Sequence, residues 1–199
     1  MKIAFGDTET TGFINKTVDH NHPLQVKVVQ LGFIVLDTKN PDHWDLHSPN
    51  YMGDEHEIIV KPEGWTVPEQ AAAIHGFTTE KALALGKPRA EAFAPFNEHT
   101  ADVDLFVYHN AAYDDPVLRI EVRRGDIRYD PKRVFCTMEA TTNICKLPGR
   151  FGKYKWPKMV EAYKHFFGCE FDGAHNAMAD VRACRDVFLK LHPHIVCEV

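Results

Sequence analysis

Ile3-Ala4-Phe5-Gly6-Asp7-Thr8-Glu9-Thr10-Thr11-Gly12 starts as a strand and runs into carboxylates and a turn. Ile3 to Asp7 reads as the strand, closed by the turn-like Thr10-Thr11-Gly12. Side chains alternate along a strand, so residues two apart share a face. Asp7 and Glu9 therefore continue the core-facing row begun by Ile3 and Phe5. Two carboxylates held close together repel unless one keeps its proton or a cation lies between them. Taken alone, the pair is better explained by a solvated strand end, so other residues must decide.

Working outward, Val26 to Leu36 is rich in β-branched and apolar residues and reads as a second strand ended by Asp37-Thr38-Lys39-Asn40-Pro41. Pro41 to Asp54 is irregular and reads as a loop; Glu57 to Lys61 gives a third strand, stopped by Pro62. Helical signals follow at Pro68 to Ile74, Thr79 to Leu85 and Arg89 to His99. Leu105 to Tyr108 is a compact apolar strand, and Tyr113 to Arg124 a helix with Val117, Leu118 and Val122 on one stripe, stopped by Gly125. Val134 to Cys136 reads as a last strand, followed by helices over Thr137 to Cys145, Trp156 to Phe167 and Ala177 to Leu191. Three strands first, then strands alternating with helices, imply an α/β protein: a mixed sheet flanked by helices. No internal repeat or Ser/Gly linker divides the chain, so residues 1–199 are expected to form a single domain.

Composition narrows the function classes. The chain is 44% hydrophobic and 26% charged, as ordinary globular proteins are. No apolar run reaches the roughly 18 residues of a membrane span, and Asp7 comes too early for a secretory signal, so no membrane partner and a cytoplasmic location are expected. Five cysteines with no Cys-x-x-Cys pair argue against a disulfide framework or a zinc ribbon. His192, His194 and Cys197 could form a metal clip, but a polar tail explains the same residues. The net charge of −5 excludes binding nucleic acid through overall charge alone, while leaving room for a local basic strip.

Two further acids interrupt apolar stripes. Asp114 stands at the start of its helix, three and four residues before Val117 and Leu118, so it heads the apolar side; a helix cap is its alternative role, and Asp115 competes for either. Asp180 lies on the stripe of Ala177, Val181, Cys184, Val187, Phe188 and Leu191. Buried carboxylates are rare unless paired or bound to a metal. His175 can approach Asp180 only from the loop before that helix, which Asn176 is suited to cap. Acids from three elements suit a hard cation such as Mg²⁺ or Mn²⁺, and a histidine beside them suits proton transfer.

Asp7-Thr8-Glu9-Thr10-Thr11-Gly12, His109-Asn110-Ala111-Ala112-Tyr113-Asp114 and His175-Asn176-Ala177-Met178-Ala179-Asp180 resemble, in order, the three motifs of the DEDDh (DnaQ-like) 3′–5′ exonucleases, a family that includes proofreading subunits of bacterial replicases. Gln30-Leu31-Gly32 and Ile74-His75-Gly76-Phe77-Thr78 fit secondary segments of the same family. The resemblance implies a ribonuclease-H-like five-stranded mixed sheet and two divalent ions, with Asp7 bridging both. Glu9 and Asp180 would hold the first ion, Asp114 the second, and His175 would act as general base. It also implies single-stranded DNA with a 3′ end as partner (RNA being the alternative), nucleoside 5′-monophosphates as products, and a polymerase subunit as an optional partner. Thr10, Gly12, Phe13, His75, Asn110 and Tyr113 are the expected substrate contacts, although His75 also fits a turn-satisfying role and Asn110, with His109, an orienting one. Gly6 departs from the family pattern by lacking a large apolar side chain, which would loosen packing under the site. The insert 41–54 is longer than the pattern expects.

Lys146, Arg150, Lys153, Lys155 and Lys158 interleave with Phe151, Tyr154 and Trp156 without an intervening acid. That mixture suits single-strand binding, which Pro148 and Gly149 favour by placing it in a loop; a solvated loop anchored by its aromatics is the alternative. Arg123, Arg124, Arg128, Lys132 and Arg133 read as a wet helix end. A non-catalytic nucleic-acid-binding adaptor on the same fold is the reading from another class; it normally loses an acid or the histidine, and all five are present here.

Overall fold

The computed structural model describes residues 1–197, apart from the side chains of residues 196 and 197; the Cys197 thiol of the conceivable C-terminal clip therefore lies outside the described residues. β1 (Lys2–Thr10), β2 (Val28–Asp37) and β3 (Asp54–Ile59) pair antiparallel in sequence order. β4 (Leu105–Tyr108) joins the other edge of β1 in parallel, and β5 (Val134–Cys136) continues beyond it. The spatial order β3-β2-β1-β4-β5 makes β1 the central strand of a mixed five-stranded sheet. The α-helices are α1 (Glu69–His75), α2 (Thr79–Leu85), α3 (Arg89–His99), α4 (Ala111–Arg124), α5 (Thr137–Cys145), α6 (Met159–Phe167), α7 (Ala177–Leu191) and the one-turn α8 (His194–Cys197). The expected mixed sheet flanked by helices is the one observed.

Each face of the sheet carries its own apolar layer. On one face Ala4, Phe33 and Phe106 pack with Phe93 and Phe96 of α3 and with Val117 and Leu118 of α4. On the other, Ile3, Phe5, Ile34 and Val107 pack with Val181, Cys184, Val187 and Phe188 of α7 and with Met159 and Ala162 of α6. The alternation along β1 thus sends Ile3 and Phe5 toward α7, and the same parity sends Asp7 and Glu9 there.

Several boundaries differ from the sequence reading. β1 runs on to Thr10 instead of closing at Asp7, because Thr8 and Glu9 keep partners Leu31 and Gln30 on β2. β3 begins at Asp54 rather than Glu57, paired with Val35. The insert is not wholly loop: Pro41–His43 form a short 3-10 turn whose buried His43 accepts the Asp37 N–H at Nδ1 (2.9 Å). α4 starts two residues early, at Ala111, and α6 starts at Met159 after Pro157, which cannot supply a helical N–H. Arg124 is not a wet helix end: it pairs with buried Glu121 at 2.5 Å and donates to Gln25 O.

Gly6 does not loosen the site. A Cβ there would stand 2.8 Å from the Tyr108 ring, so the ring fills the space a larger residue would occupy. Gly32 lies opposite Asp7 in the register, and a Cβ on it would come within 2.9 Å of the Ala177 carbonyl and the Met178 nitrogen. The first turn of α7 therefore rests directly on the β2 backbone. Gly32→Ala is expected to lift that turn and cost about 2 kcal/mol in a urea unfolding titration; a parental midpoint would mean that the contact yields freely.

Candidate active site

Three carboxylates meet at the C-terminal end of β1. Oxygens of Asp7, Glu9 and Asp180 all lie within 4.8 Å of one another. Asp7 and Glu9 arrive by strand parity, and Asp180 arrives because α7 begins against Gly32. That beginning is fixed by hydrogen bonds. Asn176 caps α7 by accepting from Met178 N and Ala179 N, as its sequence position predicts. Gln30, wholly buried and opposite Glu9, accepts the Ala177 N–H at Oε1 (3.2 Å) while its amide nitrogen donates to Glu57.

Asp114 approaches from the other layer. Its role is not the helix cap: Asn110 holds that position, and Asp114 is buried in the first turn of α4. There Asp114 Oδ1 accepts from both the backbone N–H (3.1 Å) and the hydroxyl (2.7 Å) of Thr8. Thr8 has the opposite parity to Asp7 and Glu9, so it faces α4 and ties that helix to the strand between the two acids. Asp115 turns away to Arg119 and Tyr129.

The electrostatics record the crowding. Asp7 is held well above the usual carboxylate range, first by burial and then by the charges of Asp114, Asp180 and Glu9. Burial, then Asp180 and Asp114, raise Glu9 to about 8. Burial raises Asp114 to about 7 against the opposing Thr8 hydrogen bonds, and Asp180 to about 6 against the His175 N–H. Among the described residues no lysine or arginine pairs with any of the four. An all-oxygen donor set with surplus negative charge fits a hard divalent cation.

His175 sits in the turn before α7, exposed, with a left-handed backbone (φ 68°). Its backbone N–H donates to Asp180 Oδ2 at 2.8 Å. Beside the acids a cleft of about 330 Å³ is lined by Glu9, Thr10, Gly12, Phe13, His75 and Tyr113, among others. Phe13 stands 92% exposed at this cleft. The Tyr113 hydroxyl donates to Gly12 O (2.6 Å) and meets Thr10 Oγ1 (2.5 Å), clamping the end of β1. His75 is buried, its Nδ1 accepting from Phe77 N at 3.2 Å, so it satisfies its turn as well as lining the cleft. Asn110 is exposed at the start of α4 and does not line the cleft. A larger cavity, about 620 Å³ between Tyr51, Phe167 and Leu189, does not touch the acids.

Sequence reading passed over two residues that place the acids. Thr8 was legible as the only hydroxyl between the two carboxylates, on the face shared with Ala4 and Gly6. Gln30 was legible as the lone amide in a strand otherwise apolar from Val28 to Leu36, apart from Gly32.

Comparison with known proteins identifies the family and agrees with the fold. The RNase_T family model, described as exonuclease, matches residues 5–188. Uncharacterized exonuclease CP81 of Escherichia phage 186 is 30% identical over 193 residues, covering 89% of this chain and 81% of the relative. Among solved structures, E. coli exonuclease I in complex with a dA16 oligonucleotide superposes with a TM-score of 0.69 at 21% identity over 99% of this chain. Its complex with a dT13 oligonucleotide gives 0.69 at 21% identity over 98%. At that identity the likeness is one of fold, and this chain spans only 42% of exonuclease I.

Carboxyls that hold protons more tightly folded than unfolded stabilise the fold at low pH and lose that contribution as pH rises through their folded values. The metal-free protein is therefore expected to lose thermal stability between about pH 4, where free carboxyls titrate, and about 8, the value for Glu9. Asp180→Asn is expected to raise metal-free stability at the upper end of this window by about 2 kcal/mol, or roughly 4–8 °C. A variant that melts below the parent there would assign Asp180 a stabilising role instead.

Proposed function

The chain belongs to the RNase_T exonuclease family, and on that premise we propose that it is one 3′–5′ exonuclease domain, removing nucleotides one at a time from the 3′ end of single-stranded DNA. The observation that carries the reading is the convergence of Asp7, Glu9 and Asp180 within 4.8 Å beside an open cleft. The dA16 and dT13 complexes of its structural relative exonuclease I support single-stranded DNA as the substrate class. The work is done alone or beside a polymerase.

Asp7, Glu9 and Asp180 would hold one Mg²⁺ or Mn²⁺, and Asp114, steadied by Thr8, would contribute to a second, adjacent one. When bound, such cations neutralise the cluster and stabilise charge on the attacking and leaving oxygens of an in-line displacement. The residues of the chain do the rest. His175, exposed at the rim, takes a proton from the attacking water as its oxygen adds to phosphorus. The 3′ oxygen of the preceding nucleotide leaves with a proton from solvent. The products are a nucleoside 5′-monophosphate and a strand shortened by one nucleotide. The His175 N–H bond to Asp180 keeps the base and the acid cluster in register. Phe13 offers a free aromatic face to the terminal base, and Thr10, Gly12, His75 and Tyr113 form the walls around it.

Matched 5′-labelled DNA and RNA oligomers incubated with Mg²⁺ or Mn²⁺ test the reading. The expected result is a ladder shortening from the 3′ end, faster on DNA and abolished by EDTA. His175→Ala is expected to slow it by about 10²–10⁴-fold, and Asp7→Ala to abolish it without lowering the melting temperature. Faster loss of RNA would reassign the substrate to an oligoribonucleotide. Binding without cleavage by the parent would leave the adaptor reading.

A further inference from the structure

The chain carries a net charge of −5, yet residues 140–160 hold five cations and no acid. The segment between α5 and α6 folds back on itself. Pro148 and Tyr154 bridge antiparallel, Gly149 N donates to Lys153 O at 2.9 Å, and Lys155 N donates to Leu147 O at 3.0 Å. The result is a small hairpin with Arg150-Phe151-Gly152 at its tip. Its aromatics do not anchor it to the core: Phe151 is 98% exposed, Trp156 65% and Tyr154 46%. Of its cations Lys155 pairs with Glu161 at 2.5 Å. Among the described residues Lys146, Arg150, Lys153 and Lys158 have no carboxylate within salt-bridge reach.

The foot of the hairpin is latched toward the acid cluster. Pro157 is buried, and its carbonyl accepts from His109 Nε2 at 3.0 Å. His109 Nδ1 meets the Thr137 hydroxyl at 2.8 Å, at the first residue of α5. His109 precedes Asn110, whose carbonyl receives the N–H groups of Tyr113 and Asp114. One buried imidazole thus joins the hairpin to the corner from which Asp114 is launched.

We propose that the hairpin from Lys146 to Lys158 is a second contact site for single-stranded nucleic acid, gripping the strand upstream of the 3′ end that enters the acid cluster. The proposal rests on the nuclease reading above. Unpaired cations neutralise phosphates with release of counterions, and open aromatic faces stack on bases of any sequence. A strand long enough to reach the hairpin gains both contacts; a very short one gains neither. An acidic peptide would satisfy the cations but leave Phe151 and Trp156 without flat partners.

The test compares kcat/KM on oligothymidylates of about 3 and about 16 nucleotides, the longer matching a single-strand site of ordinary size. The parent is run against a variant carrying Phe151→Ala with Trp156→Ala, and another carrying Lys146→Gln, Arg150→Gln and Lys153→Gln. The expected result is a parental preference for the long strand that falls about tenfold in the aromatic variant, through KM rather than kcat. In the charge variant the salt dependence of that preference becomes shallower. The same length preference in parent and variants overturns the hairpin site while leaving the nuclease reading intact. No cleavage of either length by the parent removes the nuclease reading. Fluorescence anisotropy of the labelled long strand then decides the hairpin separately: binding lost in the variants supports it, and binding unchanged or absent throughout overturns it.

Discussion

Mutual repulsion among Asp7, Glu9, Asp114 and Asp180 is the constraint around which this end of the molecule is built. All four carboxyls are pushed upward, with burial as the largest cause, and neighbouring carboxylates add to it at Asp7, Glu9 and Asp114. Left to itself such a cluster would spread apart. It is held because each acid sits on an element that cannot easily move. β1 is the central strand, with β2 and β4 on its two sides. α7 is packed along the face of the sheet, and α4 is fastened to β1 through Thr8.

The fastening depends on small or singly placed groups. Gly32 lets the first turn of α7 touch the β2 backbone, and Gln30 catches the first free N–H of that turn. On the outer side of α7, Arg182 forks onto Glu55 of β3. Tyr108 fills the space over Gly6, so the strand stays supported just before the first acid. These contacts place the carboxyls where their charge is costly in the metal-free protein. An arrangement that is unfavourable alone and favourable around a cation is what a binding site for that cation requires.

Strand parity was enough to align Asp7 with Glu9, and helical spacing was enough to bring Asp180 to the same side. Helix boundaries were readable at Asn176 and Gly125, marked by an amide cap and a glycine, but not at Asn110 or Pro157. The sequence pattern failed where tertiary contacts overrode local signals. β1 continues through Thr10 because β2 runs alongside it, a pairing that no local pattern in β1 reports. A cap stayed open as the alternative for Asp114 because caps are local, whereas its partner Thr8 lies 106 residues away. The hairpin's register could not be read from its composition, although its cations and aromatics could. Arg124 looked solvated for the same reason: its partner Glu121 is on its own helix, but the burial of both comes from the β2 side, where Glu121 also receives the Val28 N–H.

The central claim is that the carboxyls are a cation-binding cluster, with Asp7, Glu9 and Asp180 around one ion and Asp114 toward a second beside it, and calorimetric titration with Mn²⁺ addresses it most directly. Titrations near neutral pH in two buffers of different ionisation heat would measure protons released on binding. With Glu9 at about 8 and Asp114 at about 7, both retain protons there in the metal-free protein. Saturable binding with net proton release, lost in Asp7→Asn and tighter as pH rises, is the predicted result. Binding without proton release, or binding that survives Asp7→Asn unchanged, would place the cation elsewhere and contradict the account.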